Sequence, residues 1–246
     1  MELMKGWEPF SYTKKSDVGV LVLQGYTGST SSVRPLGDYL GKFYNVEGPR
    51  LSGHGTRWQD LNRVHWEDWV ADAETALALL KRRAKRIFIA GLSMGGTISL
   101  YLAERHREIN GIVLVNHLLI LKNPLLPILP ILKLIVPAVK AIASDMMDPT
   151  QKEIGYDHTP LKGLAETMKM ASIVKRGLAD IRKPILIFKS KDDHVVPVDG
   201  APYTYERVSS RDKELVWLTN SRHVATMDYD KTIIMERTRG FIERVG

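Results

Sequence analysis

The 246-residue sequence has no cysteine. Disulfides, thiolate nucleophiles and cysteine-based metal sites are therefore excluded. Glutamine and asparagine are scarce, at three and six residues. With the missing cysteine, this leans towards a heat-adapted source. The opening stretch, MELMKGWEPFSYTKKSD, lacks an apolar segment and a small-residue cleavage site. No signal peptide is expected, and a cytoplasmic location is. There is no internal repeat, and low complexity is confined to one Leu/Pro-rich run. The basic excess, a net charge of +7, is spread along the chain. It forms no basic stripe interleaved with aromatics, so no nucleic-acid partner is expected. The charge serves solubility, with attraction to anionic lipid surfaces as the second reading.

What is present is an ordinary globular composition, 44% hydrophobic and 26% charged. This length suits one large domain, or one domain carrying an insertion. Val18–Leu23 is a continuous apolar run, typical of a strand buried on both faces. A glycine-rich turn, Gln24–Ser29, follows it. Ser31 or Ser32 is placed to N-cap a helix reaching Leu40. A short strand is expected at 44–47 and a helix over 66–83, from its apolar spacing. Strands at 86–90 and 111–115 flank a helix from Met94 to Arg107. The alternation then stops, and resumes with a strand at 184–189. A helix near 200–208, a strand near 214–218 and an amphipathic helix at 232–245 close the chain. This order predicts a mostly parallel central sheet with helices on both faces. Residues 1–116 and 183–246 are read as its core. Residues 117–182 are read as an insertion leaving a strand's carboxyl end, where α/β folds bind ligands.

Gly91-Leu-Ser93-Met-Gly95 is a G-x-S-x-G match lying between a predicted strand and a predicted helix, the context that gives the motif meaning. A strand turning straight into a helix passes through a strained residue, and small neighbours let the backbone close around it. Ser93 is thereby exposed at the positive end of the following helix. A phosphate cradle fits poorly, because no Lys follows the glycines and the G-x-G-x-x-G spacing is absent. A serine hydroxyl needs a base, and the base needs an orienting acid. In the α/β-hydrolase fold these follow in the order Ser, acid, His. Of the seven histidines, His158, His194 and His223 lie beyond the start of the insertion. His158 falls inside it, and His194 follows the acids too closely to be oriented by them. His223 lies after the last strand and before the last helix, where the base belongs. The acids on offer are Asp192 and Asp193, and spacing does not choose between them. Backbone N–H groups of Met94 and of the Gly25–Gly28 turn can hold an oxyanion. No metal and no cofactor is expected.

The chain resembles the bacterial monoacylglycerol lipases and thermostable carboxylesterases of the α/β-hydrolase fold, nearly end to end. The resemblance is carried by Gly25-Tyr-Thr-Gly28, Pro49-Arg-Leu-Ser-Gly-His-Gly55, Asp68-Trp-Val70 and Gly91-Leu-Ser-Met-Gly-Gly-Thr97. Leu100-Tyr-Leu-Ala-Glu104, Asp193-His-Val-Val-Pro197 and His223-Val-Ala-Thr-Met-Asp-Tyr-Asp230 extend it. It implies a serine carboxylic ester hydrolase with Ser93, Asp193 and His223 as its triad and Tyr26 and Met94 as the oxyanion donors. The substrate implied is a monoacylglycerol or a related small-molecule ester. Gln24 stands where the family usually has His, and is expected to support the oxyanion turn without moving a proton. Lys152-Glu153-Ile-Gly-Tyr156 is similar to a lid element in which a Glu meets glycerol hydroxyls, which makes Glu153 a candidate substrate contact. A ligand-binding relative of the same fold is the non-enzymatic alternative.

The stretch HLLILKNPLLPILPILKLIVPAV, His117 to Val139, is oily enough to raise a membrane span. A span needs roughly 20 mostly apolar residues. Lys122, Asn123 and Lys133 interrupt this run, and Pro124, Pro127, Pro130 and Pro137 break helical turns. Strands of one sheet lie on both sides of it. The expectation is a cap over Ser93, with Leu and Ile, among them Ile120 and Leu121, lining an acyl pocket and the lysines facing water. Lys133 and Lys140 would share a face of any helix that survived Pro137. Such a cap would bind lipid surfaces weakly and reversibly.

Overall fold

The computed structural model describes residues 3–124, 126–142 and 144–246. Its sheet comprises β1 (Phe10–Tyr12), β2 (Val18–Leu23), β3 (Asn45–Gly48), β4 (Arg86–Leu92), β5 (Ile109–Val115), β8 (Ile185–Ser190) and β9 (Lys213–Leu218). Their spatial order is β1-β3-β2-β4-β5-β8-β9. All neighbours are parallel except β1, which runs antiparallel to β3. The expected mostly parallel α/β-hydrolase sheet is present. β1 was not expected, because three residues at an edge carry too little alternation to be read.

Successive strand residues point to opposite faces, and the sheet is packed on both. Leu21, Leu23, Ile87, Ile89 and Leu114 face one cluster, with α2 (Trp66–Lys81) and α3 (Met94–Arg105) over them. Val20, Val22, Phe88, Ala90 and Val113 face the other, under α1 (Arg34–Leu40) and α7 (Lys231–Val245). Burial on both sides is why these strands read as unbroken apolar runs. Ser29, rather than Ser31 or Ser32, supplies the N-cap, accepting a bond from Ser31 N–H ahead of a short 3₁₀ turn. The helix proper starts later, with a proline in its first turn.

After β2 the chain moves to one side of the sheet, and from β4 onward it moves to the other. That reversal opens a crevice at the strands' carboxyl ends. The β2–β4 register, with Leu23 opposite Gly91, brings the turns that follow both strands side by side.

Between β5 and β8 lie α4 (Leu129–Ile135), the antiparallel pair β6 (Ala138–Lys140) and β7 (His158–Pro160), and α5 (Leu161–Gly177). Met170 and Val174 of α5 belong to the cluster under α2 and α3. From this segment Leu118, Leu121, Val139, Glu153, Leu164 and Thr167 border the same cavity as Ser93. α6 (Gly200–Arg207) packs beside β8 and β9. Two expectations for residues 117–139 need correction. α4 stops at Ile135, before Pro137, so Lys133 and Lys140 share no helical face. The outward side of α4 is apolar rather than basic: Ile131 is 66% exposed, Leu134 73% and Ile135 77%. Among the described residues no helix is long and apolar enough to cross a membrane.

Candidate active site

Ser93 joins β4 directly to α3 and adopts φ 54°, ψ −118°, a conformation L-residues avoid. The flanking glycines make this turn feasible. A Cβ on Gly91 would run into the Gly95 backbone, and one on Gly95 into the carbonyls of Leu23 and Gln24. The Ser93 side chain makes no capping bond to α3, so its hydroxyl remains free for chemistry at the helix's positive end. Gly25, after β2, lies against it: a Cβ there would stand 3.8 Å from Ser93 Oγ. The amide of Tyr26 follows on this turn, and the amide of Met94 on the other.

His223 lies 30 residues beyond Asp193 in the chain, and its Nδ1 is 3.0 Å from Asp193 Oδ1 and 3.1 Å from Oδ2. Asp193 also accepts bonds from the backbone N–H groups of Val195 (2.9 Å) and Val196 (2.8 Å). Its other side faces the Lys189 ammonium at 2.5 Å. Burial pushes the Asp193 carboxyl up, but His223 and Lys189 outweigh it and hold it well below the usual carboxylate range. Asp192 turns elsewhere, towards Arg222 (3.0 Å) and His194 (3.1 Å). His194 is also bound by Asp145 at 2.9 Å, and that hydrogen bond raises its pKa. His158 pairs with Asp157 and stacks on Trp58, away from the cavity.

Ser93 and His223 line one cavity of about 280 Å³. Leu118, Leu121, Val139, Ile142, Leu164 and Val195 supply apolar wall, and Glu153 and Thr27 supply polar groups. Leu121 is on this wall, whereas its neighbour Ile120 is not among the lining residues. Lys122 and Lys140 also border it, and both are exposed to water, as expected of the lysines in this segment. Glu153 accepts a bond from Ser32 Oγ at 2.6 Å. Burial pushes its carboxyl up, and the Ser32 bond opposes the shift.

The turn from Gln24 to Gly28, which carries the expected oxyanion donor, is braced by hydrogen bonds from several segments. Gln24, fully buried, donates through Nε2 to the Gly28 carbonyl at 3.2 Å. His54 Nε2 bonds the Tyr26 carbonyl, while its Nδ1 faces the Leu51 and Ser52 carbonyls. Burial lowers the His54 pKa, and its bonds to the carbonyls of Tyr26, Ser52 and Leu51 oppose the shift. Tyr26 Oη donates to the Pro160 carbonyl at 2.7 Å, and Tyr156 N–H to the Thr27 carbonyl at 2.9 Å.

Sequence reasoning gave no role to Asp145, Asp228 or Asn116. Asp145 Oδ2 accepts the backbone N–H of His194 (3.1 Å) and of His223 (3.2 Å), tying the cap to the histidine loop. Asp228 accepts the amides of Met147, Asp148 and Arg222 at 2.7–3.0 Å. Asn116 bonds the carbonyls of Arg222 (3.0 Å) and His223 (2.9 Å). A lone Asp145 after an oily run was the one signal available.

This arrangement coincides with what known proteins share with the chain. Residues 14–230 match the family described as serine aminopeptidase, S33 (Hydrolase_4). The chain belongs to this family. The hydrolase is 41% identical to the thermostable monoacylglycerol lipase of Bacillus sp. (strain H-257), over 98% of this chain and 96% of that one. It is 28% identical to a carboxylesterase of Bacillus subtilis (strain 168), over 97% of each. A solved structure from work on LipS and LipT, two metagenome-derived lipolytic enzymes, superposes with a TM-score of 0.94 at 35% identity. That match covers 99% of this chain and 100% of the other. The hydrolase is thus a serine carboxylic ester hydrolase with the α/β-hydrolase fold.

Proposed function

We propose that the hydrolase cleaves monoacylglycerols and related esters through an acyl-enzyme on Ser93. Ser93 Oγ attacks the ester carbonyl carbon while His223 Nε2 takes its proton. Asp193, bound at Nδ1, holds the imidazole in the tautomer that leaves Nε2 free and stabilises the charged ring. The oxyanion receives the N–H groups of Tyr26 and Met94. Collapse expels the alcohol, which takes its proton from His223. Water then attacks the acyl-enzyme with His223 again as base, releasing the acid and restoring Ser93. None of these steps calls on a metal or a cofactor.

The observation that carries the substrate reading is the two-sided cavity. Apolar wall from Leu118, Leu121, Val139 and Ile142 suits an acyl chain, and Glu153 with Ser32 offers hydrogen bonds to a glycerol end. The name of the relative at 41% identity points the same way. Ile131, Leu134 and Ile135 face outward from α4 and would rest on lipid aggregates, reversibly. Residues 117–160 are in this reading the lid. The test compares a monoacylglycerol with the methyl ester of the same acid. Glu153→Ala should lower kcat/KM for the glyceride about tenfold, the worth of one or two lost hydrogen bonds, and leave the methyl ester nearly unchanged. Equal effects on both esters would leave a carboxylesterase without glycerol preference.

A further inference from the structure

β8 reads Ile-Leu-Ile-Phe-Lys-Ser, and five of these six residues suit a strand buried on both faces. The exception is Lys189, whose side chain is 1% exposed. Packing alone would place an aliphatic residue here, because a buried ammonium is costly unless it is paired. Its Nζ meets Asp193 Oδ2 at 2.5 Å and donates to the Val196 carbonyl at 2.8 Å. Asp193 is itself fully buried, so the pair sits in a poorly screened setting. The same carboxylate serves His223. One acid is therefore shared between an imidazole that must gain and lose charge and an ammonium buried beside it.

We infer that Lys189 is a positioning residue of the active site, fixing the Asp193 carboxylate and weakening its pull on the protonated form of His223. This rests on the triad reading above. The other ionisable groups around the pair come from each element packed on it. His117, after β5, is pulled down to about 3 by burial and by the Lys189 charge, so it is neutral. Asp199, beside the start of α6, and Asp145 of the cap add negative fields at Lys189. Asp199 is already paired with Lys122, and Asp145 with His194. Glu153 adds a further carboxyl facing His223. Lys189 is thus the buried cation set directly against the triad's acid. Its positive charge sits on the carboxylate that His223 shares, opposite the ring.

Replacing Lys189 with an uncharged residue leaves the Asp193 charge wholly to His223, so protonation of the ring becomes easier. The acid limb of kcat/KM should move to higher pH, by about half a pH unit or more for a charge lost at this range. Lys189→Met keeps the length and removes the charge. Lys189→Gln removes the charge and keeps a donor, and carries the test if the Met variant does not fold. The readout is the pH profile on a short, water-soluble ester, with folding checked by thermal melting. An upward move of the acid limb supports the inference. An unmoved limb in a folded variant overturns it, even if kcat falls, because a packing role lowers rate without moving the profile. A limb that moves in Lys189→Met and stays in Lys189→Gln also overturns it, since a donor and not a charge would then be at work. Failure of the underlying triad looks different: His223→Ala would keep wild-type activity.

Discussion

The floor of the candidate active site and the segment proposed as its cap meet water in opposite ways. On the floor, the side chains of Ser93, Asp193 and His223 are buried on the loops that follow β4, β8 and β9, and their neighbours are fixed by hydrogen bonds. In residues 117–160 the inner side chains of Leu118 and Leu129 are buried, yet Ile131, Leu134, Ile135 and Ile142 are over 60% exposed. In the proposed mechanism the floor holds a few atoms in fixed places, as acyl transfer requires. Residues 117–160, proposed above as a lid, carry apolar side chains facing both inward and outward, which under that proposal suits a greasy substrate arriving from an aggregate. Polar contacts join the two, among them Asp145 to the His223 amide, Asp228 to the Met147 amide, Glu153 to Ser32, and Tyr156 to Thr27.

If chemistry belongs to the floor, the largest effect lies there. Ser93→Ala and His223→Ala should each lower kcat by ~10⁴-fold or more on every ester, long or short. Steady-state rates over a chain-length series check this. Near-normal rates in a folded Ser93→Ala would break the comparison at once. A smaller effect sharpens it. Gln24 braces the oxyanion turn through Gly28, and His54 braces the same turn at Tyr26. Gln24→His should be tolerated. Gln24→Ala should lower kcat only a few-fold, about 1 kcal/mol for one neutral hydrogen bond, and leave the acid limb in place. A displaced limb would show Gln24 acting on the proton rather than on the turn.

The same contrast governs what could be read from the sequence. β2, β4, β5 and β8 announce themselves because burial on both faces demands unbroken apolar runs. The serine turn was legible because its glycines are dictated by close backbone approach at Gly91 and Gly95. β1 was not, since three edge residues carry no periodicity. Nor was the course of the cap legible. Its oily run looks the same whether a side chain lines the cavity, as Leu121 does, or faces out, as Leu134 does. The bonds of Asp145 to the His223 amide, of Asp228 to the Met147 amide and of Asn116 to the His223 carbonyl join residues 78, 81 and 107 positions apart. Local pattern holds no trace of such partners. The choice between Asp192 and Asp193 was closed by neither spacing nor composition. In the fold the two carboxyls diverge, one to Arg222 and one to His223.

The account stands most directly on separating floor from cap. The measurement is the rate of hydrolysis of a short soluble ester and of a long-chain monoacylglycerol, in wild type and in an Ile131→Ser, Leu134→Ser, Ile135→Ser variant. These side chains are exposed, so the fold should survive with little change in Tm. The expected result is wild-type turnover of the short ester and a roughly tenfold or greater loss on the long-chain aggregate, from apolar contact removed at the lipid surface. Equal loss on both substrates, or no loss on either, in a folded variant would contradict it.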